Sequence, residues 1–192
     1  MNIFYAGSSH FSQYRNFVGE TMRSNYHPRV NKVLTMFGSG AYLEDIFTKK
    51  IMDTITEFPT NQTLVIVVML SCNWVRARPT DVDFIYQAHC TLLDLLGPLN
   101  HTRLLIAGLL PCPRTHWYTR APFQDLDARF SALASIQGPK VKFFNTAQFF
   151  TKQGSRDKGQ IKNYLFGDRL HLNEAGGDVL TRELHLFILE NY

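Results

Sequence analysis

The most apolar run of the chain is Leu64-Val65-Ile66-Val67-Val68-Met69-Leu70, which contains no polar side chain. β-Branched residues dominate the run, and a turn-forming segment at 60–62 precedes it, so it predicts a β-strand. A strand with one face in water would alternate apolar and polar residues. Continuous apolar character instead indicates burial on both faces, as in a parallel sheet that is covered by helices on either side.

Strand-like and helix-like segments alternate along the rest of the chain. Apolar segments predict strands at 2–6, 30–37, 64–70, 103–109 and 141–144. Apolar residues at helical spacing predict a helix that ends near residue 24 and further helices at 43–58, 81–96, 123–136 and 174–190. The segments 110–122 and 151–162 read as surface loops. Five strands alternating with five helices predict one domain, residues 1–192, with a three-layer α/β/α fold.

The bulk composition is that of an ordinary globular chain. Of the 192 residues, 45% are hydrophobic, and the formal net charge of +4 is too small to indicate a dedicated nucleic-acid binder. No apolar run reaches the ~18–20 residues of a membrane span, and the N-terminus shows no signal-peptide pattern. The three cysteines are an odd set without paired spacing, which is typical of a reducing compartment. We therefore expect an intracellular, cytoplasmic protein without a membrane span.

The first candidate site follows the first predicted strand. Gly7-Ser8-Ser9 comes directly after an apolar segment and precedes residues with helical spacing. A serine hydroxyl at the carboxyl end of a strand and near a helix N-terminus has backbone N–H groups beside it that can stabilise an oxyanion. Such a serine is a candidate nucleophile. Serines before a helix are also common N-caps, so this segment alone leaves both interpretations open.

The second candidate site is Asp168-Arg169-Leu170-His171, directly before the last predicted helix. A serine nucleophile needs a base, and a histidine base needs an acceptor that fixes its tautomer and stabilises the imidazolium. Because Asp168 and His171 lie three residues apart in a predicted turn, one loop can supply both groups. The alternative interpretation is that Asp168 caps the turn and that His171 is a surface residue.

Four short blocks, in this order along the chain, resemble those of the SGNH (GDSL-type) hydrolase family. They are Gly7-Ser8-Ser9, Gly38-Ser39-Gly40-Ala41, Ser71-Cys72-Asn73-Trp74 and Asp168-Arg169-Leu170-His171. The first three blocks each follow a predicted strand, and the resemblance covers nearly the whole chain. In a parallel sheet the carboxyl ends of the strands lie at one edge, where ligands bind. The fold and the blocks therefore bring the same residues to the same edge.

Three residues depart from the family's pattern. Ser8 stands in place of the usual acid, Ser71 in place of the usual glycine, and Trp74 in place of the usual acid after the asparagine. These changes alter the pocket but remove no residue with direct chemistry. Ser8 is also a competing nucleophile. The family pattern, with its serine two positions after Gly7, favours Ser9.

The resemblance implies a fold and a mechanism. The fold is a flavodoxin-like SGNH-hydrolase fold, a five-stranded parallel sheet in the order 2-1-3-4-5. The mechanism uses Ser9 as the nucleophile, His171 as the general base and Asp168 as the group that orients the base. The oxyanion hole would consist of the backbone N–H groups of Ser9 and Gly40 and the side-chain amide of Asn73. This chemistry requires no metal and no organic cofactor, and we expect neither.

Two predicted loops at the carboxyl edge carry basic and aromatic residues. Arg76 and Arg78 follow the third predicted strand, and Arg114 and Trp117 follow the fourth. Such loops suit a phosphate, carboxylate, sugar or nucleic-acid-linked ester. Loops also expose arginine without any ligand, so the spacing leaves this interpretation open. We predict that the four residues bind substrate.

Two classes of function fit these features. The first, which we favour, is a serine esterase that hydrolyses an O-acetyl or other acyl ester of a small molecule or a polymer through an acyl-enzyme. The second is a binding module of the same fold, with little or no catalysis, that binds nucleic acid or a protein partner. The intact residues with direct chemistry favour the first class, whereas the three departures keep the second open.

Overall fold

The computed structural model describes residues 1–7, 28–37, 43–69, 82–111, 113, 120–152 and 161–192. Within these ranges the chain forms a five-stranded, all-parallel sheet with helices on both faces. The strands are β1 (Asn2–Gly7), β2 (Lys32–Phe37), β3 (Leu64–Met69), β4 (Thr102–Ala107) and β5 (Val141–Phe144). Their order is β2-β1-β3-β4-β5, so the predicted fold class and the strand order that the family resemblance implied are both confirmed.

The central strand β3 is buried along its whole length, as its sequence predicted. It lies between β1 and β4, and its side chains alternate between two hydrophobic cores. One core receives Val65, Val67 and Met69, and the other receives Leu64, Ile66 and Val68. Because both faces of the strand are covered, no position on it is left for a polar residue.

Among the described residues, three helices cover one face of the sheet. They are α1 (Asp45–Ile55), α2 (Val82–Leu96) and α3 (Arg120–Gln137). Each helix buries side chains at helical spacing, for example Phe123, Leu126, Phe130 and Leu133 of α3. The helix α3 ends before Gly138, whose φ of +57° is a left-handed conformation that glycine adopts without strain.

The opposite face is covered by α4 (Ala147–Phe150) and α5 (Glu174–Asn191). The long helix α5 contributes Leu180, Leu184 and Ile188 to the core, on one of its faces. The residues before α5 are irregular: a 3₁₀ turn at Asn163–Leu165 is followed by an isolated antiparallel bridge between Phe166 and Leu172. In the described part of the chain, this face therefore combines the helices α4 and α5 with an irregular segment that packs beside α5.

The helix α5 runs antiparallel to the strands. Its last turn lies at the amino edge of the sheet, because the carbonyl of Leu189 accepts a hydrogen bond from Arg29 (3.1 Å) and the Tyr192 hydroxyl donates to the carbonyl of Leu104 near the start of β4 (3.4 Å). The carbonyl of Arg29 in turn accepts a hydrogen bond from the amino group of Met1, directly before β1 (2.6 Å). A helix of 18 residues is about 27 Å long, against roughly 20 Å for a six-residue strand. The start of α5 therefore lies at the carboxyl edge.

Some boundaries differ from those predicted. The helix α3 begins three residues earlier than expected because Pro122 lies in its first turn, where a missing N–H is tolerated. The strand β4 ends at Ala107, two residues earlier than predicted, and α1 is shorter at both ends. The predicted surface loop 151–162 is wrong at both ends, because Thr151 and Ile161 are buried and form an antiparallel bridge. The helix predicted to end near residue 24 lies outside the described residues.

Candidate active site

The structure brings the side chains of Asp168 and His171 into contact in the loop before α5. The Nδ1 atom of His171 lies 2.7 Å from Oδ2 of Asp168. The other carboxylate oxygen, Oδ1, accepts hydrogen bonds from the backbone N–H groups of Leu170 (2.9 Å) and His171 (2.6 Å). Both oxygens of the carboxylate are therefore engaged, which fixes its orientation relative to the imidazole ring.

These hydrogen bonds set the charge of Asp168 and the tautomer of His171. Donation from the backbone N–H of His171, from its ring and from the backbone N–H of Leu170 lowers the pKa of Asp168 well below the usual range for aspartate. An ionised carboxylate can only accept hydrogen bonds, so Nδ1 of His171 must carry a proton. In the neutral ring the lone pair then lies on Nε2, the arrangement that a general base requires.

Solvent reaches both side chains. The side chain of Asp168 is 53% exposed and that of His171 is 25% exposed. A substrate can therefore approach the imidazole, and the histidine remains partly enclosed by the protein. The pair has the geometry of an oriented proton acceptor at the surface.

The loop that carries the pair closes on itself. The backbone N–H of Gly167 donates to the carbonyl of His171 (2.9 Å), inside the bridge between Phe166 and Leu172. Arg169 adopts a left-handed conformation, with φ of +66°, so that the chain turns back toward Asp168 within a single residue. The backbone of the loop therefore helps to fix the relative position of Asp168 and His171, in addition to the hydrogen bond between their side chains.

Two further residues anchor the loop to α5, and the sequence analysis assigned neither a role. Asn173 is the N-cap of α5: its Oδ1 accepts from the N–H of Gly176 (3.0 Å), and its Nδ2 donates to the carbonyl of Tyr164 (2.7 Å). Gly176 packs so closely that a β-carbon on it would lie 2.1 Å from the carbonyl oxygen of Leu165. An asparagine before a helix start signals the cap, but no local pattern signals the close approach of Gly176.

The other predicted site residues lie outside the described residues. They are Ser9, Gly40, Asn73, Arg76, Arg78, Arg114 and Trp117. The structure does describe the strand ends that precede the first three. Gly7, the last residue of β1, is level with Phe37 at the end of β2 and with Met69 at the end of β3.

No three histidine, cysteine, aspartate or glutamate side chains in the described part of the chain are placed to hold a metal ion. None of the helices in the described ranges is long and apolar enough to cross a membrane.

Comparison with known proteins identifies the fold. No protein-family model matches the chain, and no curated protein sequence matches it significantly. Among solved structures, a GDSL-like lipase from Bacteroides thetaiotaomicron matches with a TM-score of 0.75 at 16% identity, over 100% of this chain and 89% of that chain. A member of the lipolytic G-D-S-L family from Veillonella parvula matches with a TM-score of 0.74 at 17% identity, over 98% of both chains.

An acetyl xylan esterase gives a similar result, with a TM-score of 0.73 at 13% identity, over 98% of this chain and 100% of that chain. Identities as low as these show a shared fold alone. That fold is the one that the four sequence blocks predicted from their resemblance to the SGNH (GDSL-type) hydrolases.

Proposed function

We propose that the chain is a carboxylic ester hydrolase in which Ser9 is the nucleophile, His171 the general base and Asp168 the residue that orients the base. The observation that carries the proposal is the contact between Asp168 and His171 at the carboxyl edge of the sheet. Asp168 caps the turn with one oxygen, through the backbone N–H groups of Leu170 and His171, and it presents the other oxygen to the imidazole. The pair supplies two of the three groups of a serine-hydrolase triad, with the base in the required tautomer.

The strand register supports the position of Ser9 in this proposal. Ser9 follows Gly7 by two residues, Gly40 follows Phe37 by three, and Asn73 follows Met69 by four. Neighbouring strands lie about 4.8 Å apart, and a chain extends at most ~3.6 Å per residue. The length of chain that separates each residue from its strand end is therefore at most roughly 7–14 Å, and the three strand ends are level with one another.

The chemistry proceeds in two halves. Nε2 of His171 accepts the hydroxyl proton of Ser9 while the serine oxygen attacks the ester carbonyl. The tetrahedral intermediate collapses to an acyl-serine, and the imidazolium protonates the departing alcohol. A water molecule then gives a proton to His171 and attacks the acyl-serine, which releases the carboxylic acid and restores Ser9. Asp168 stabilises the imidazolium in both halves.

The oxyanion of each tetrahedral intermediate needs hydrogen-bond donors that are already in position. We assign this role to the backbone N–H groups of Ser9 and Gly40 and to the side-chain amide of Asn73. Glycine suits the second position because a side chain there would crowd the oxyanion. Asparagine suits the third because its amide donates a hydrogen bond without carrying charge. No step of this reaction calls for a metal or an organic cofactor.

The substrate that we propose is an O-acetyl or other acyl ester of a small molecule or a polymer. One matching structure is an acetyl xylan esterase, which fits a small acyl group on a carbohydrate. Arg76, Arg78, Arg114 and Trp117 follow β3 and β4 in the sequence, and both strands end at the carboxyl edge of the sheet. We propose that these residues contact the alcohol portion of the ester.

Covalent labelling with a fluorophosphonate and turnover of p-nitrophenyl acetate and longer p-nitrophenyl esters test the proposal together. Wild-type protein should be labelled on Ser9. Ser9→Ala should lose the label and lower kcat by at least ~10³-fold. Ser8→Ala is the matched control and should retain both the label and turnover within about tenfold of wild type.

Labelling on Ser8, or full turnover in Ser9→Ala, would overturn the assignment of the nucleophile. A folded wild-type protein that is neither labelled nor active on any ester would favour the second class of function, a binding module for nucleic acid or a protein partner.

A further inference from the structure

Arg169 lies between the two residues of the proposed catalytic pair in an unfavourable backbone conformation. Its φ of +66° makes it the single non-glycine residue with a positive φ in the described part of the chain. In this region the β-carbon crowds the following carbonyl, so an ordinary residue loses stability there and glycine does not. Outliers of this kind concentrate at functional sites.

The turn requires this backbone conformation but not an arginine. The reversal at Arg169 lets the N–H groups of Leu170 and His171 both reach Oδ1 of Asp168. Glycine would make the same turn without strain. The turn therefore gives no backbone reason for an arginine at this position, and the side chain is the feature that distinguishes it from glycine.

Arg169 is exposed on the loop before α5. Among the residues that the structure describes, it has neither a hydrogen-bond partner nor an ion-pair partner. The neighbouring carboxylate of Asp168 is engaged instead by the ring of His171 and by two backbone N–H groups. The charge of Arg169 is therefore available to a ligand.

We propose that Arg169 binds an anionic group of the substrate, a carboxylate or a phosphate, next to the ester that is cleaved. This inference rests on the proposed function. The α-carbons of Arg169 and His171 are at most ~7.6 Å apart because only two peptide units separate them. An ester that is attacked beside His171 therefore lies within the neighbourhood of the arginine. A guanidinium presents a planar pair of donors that matches both carboxylate and phosphate oxygens.

Three acetyl esters with related leaving groups test the proposal: para-acetoxybenzoate, para-acetoxyphenyl phosphate and the neutral para-acetoxybenzamide. The quantity to measure is the ratio of kcat/KM for each anionic ester to that for the neutral ester, compared between variants so that leaving-group electronics cancel. In Arg169→Gln the ratio should fall about three- to tenfold, mainly through a higher KM, as expected for one partly screened charge. The benzoate and phosphate arms show which anion the site prefers.

Three further variants separate the charge from the backbone. Arg169→Lys keeps the charge and should keep the ratio within about twofold of wild type. Arg169→Gly removes the backbone strain at this position, so the variant should be as stable as wild type or more stable. Because it also removes the charge, the ratio of kcat/KM for the anionic ester to that for the neutral ester should still fall. Arg182→Gln removes an exposed arginine of α5 that pairs with Glu183, and should leave the ratio unchanged. An unchanged ratio in Arg169→Gln, or an equal loss in Arg182→Gln, would overturn the proposal.

A binding measurement keeps this inference separate from the proposed function. Sulfate titration, followed by NMR of the His171 ring, should give a saturable shift in wild-type protein. The apparent Kd should rise at least about threefold in Arg169→Gln and should change less in Arg169→Lys. A protein that hydrolyses no ester but shows this pattern would refute the hydrolase and leave the anion site in place. The absence of a saturable shift in wild type would refute the anion site itself.

Discussion

Two histidines, His89 in the interior and His171 in the loop before α5, each form a hydrogen bond between Nδ1 and an oxygen atom. In α2, Nδ1 of His89 lies 2.9 Å from the carbonyl oxygen of Ile85, and its ring packs 4.7 Å from that of Phe130. In the loop before α5, Nδ1 of His171 lies 2.7 Å from the carboxylate of Asp168. In both rings Nδ1 is hydrogen-bonded to an oxygen, but only the oxygen that contacts His171 belongs to an ionised group.

The difference shows what separates a core histidine from a candidate base. His89 is 1% exposed, and burial lowers its pKa to about 4, so the ring is neutral at ordinary pH. A backbone carbonyl stabilises an imidazolium much less than a carboxylate does. In addition, the ring of His89 lies on the buried face of α2, where no substrate can approach it. His171 has both a carboxylate and access to solvent. Acceptor charge and accessibility, rather than the hydrogen bond itself, make a histidine suitable for catalysis.

The largest expected effect comes from removing the charge of the acceptor. In Asp168→Asn, the backbone N–H groups of Leu170 and His171 would hold the amide oxygen in the place of Oδ1, which leaves the amide nitrogen facing Nδ1. The ring would then have to carry its proton on Nε2, the wrong tautomer for a base. We expect kcat for p-nitrophenyl acetate to fall by about 10²–10⁴-fold. Asp178→Asn, on the exposed side of α5, is the control and should remain close to wild type. A fall of less than threefold in Asp168→Asn would show that the carboxylate does not distinguish the two histidines.

A smaller effect tests the burial of His89. Its pKa in the folded protein is about 4, below its ordinary value of 6.5, so the unfolded chain binds the proton first as the pH falls. The resulting stability is fully present above pH 6.5 and is lost between pH 6.5 and about 4, by an amount on the order of 3 kcal/mol. The free energy of unfolding should be measured by urea unfolding at about pH 7 and pH 5. Between these pH values, wild type should lose roughly 2 kcal/mol more of this free energy than His89→Gln loses.

The variant His171→Gln tests the difference between the two histidines from the other side, because it removes the accessible imidazole and keeps the buried ring of His89. It should retain the pH-dependent stability that His89 confers while losing ester hydrolysis. If His89→Gln and wild type lost equal stability between the two pH values, the buried histidine would not be the source of the effect.

The last expected effect concerns the packing that holds the His171 loop on α5. A β-carbon at Gly176 would lie 2.1 Å from the carbonyl oxygen of Leu165, so Gly176→Ala forces the loop away from the helix. We expect the free energy of unfolding to fall by about 1–3 kcal/mol. Gly167→Ala is the matched control in the same loop, since its nearest neighbour would be 3.9 Å away, and it should change stability by less than about 0.5 kcal/mol. Equal urea midpoints for the two variants would mean that the loop is not anchored through Gly176.

Much of the fold is readable from local sequence. The run that became β3 has no polar residue because both faces of that strand are covered, and Gly97-Pro98 ends α2 where such a pair is expected to end a helix. The errors also have local causes. The sequence pattern predicts a loop at Pro122, although proline is compatible with a first helical turn, and α4 is too short to show a period.

For the candidate site, the sequence by itself predicted which residues carry the chemistry: the spacing of Asp168 and His171, and the order of the four blocks. Residue spacing and the order of motifs along the chain can be read directly from the sequence. Only the tertiary structure decided which oxygen of Asp168 faces the ring, that Arg169 turns with a positive φ, and that Gly176 meets the carbonyl of Leu165. It also decided that His89 is buried while His171 is accessible. Those features depend on how α5 and the irregular segment pack on the sheet, and packing between distant segments leaves no periodic signal in the chain.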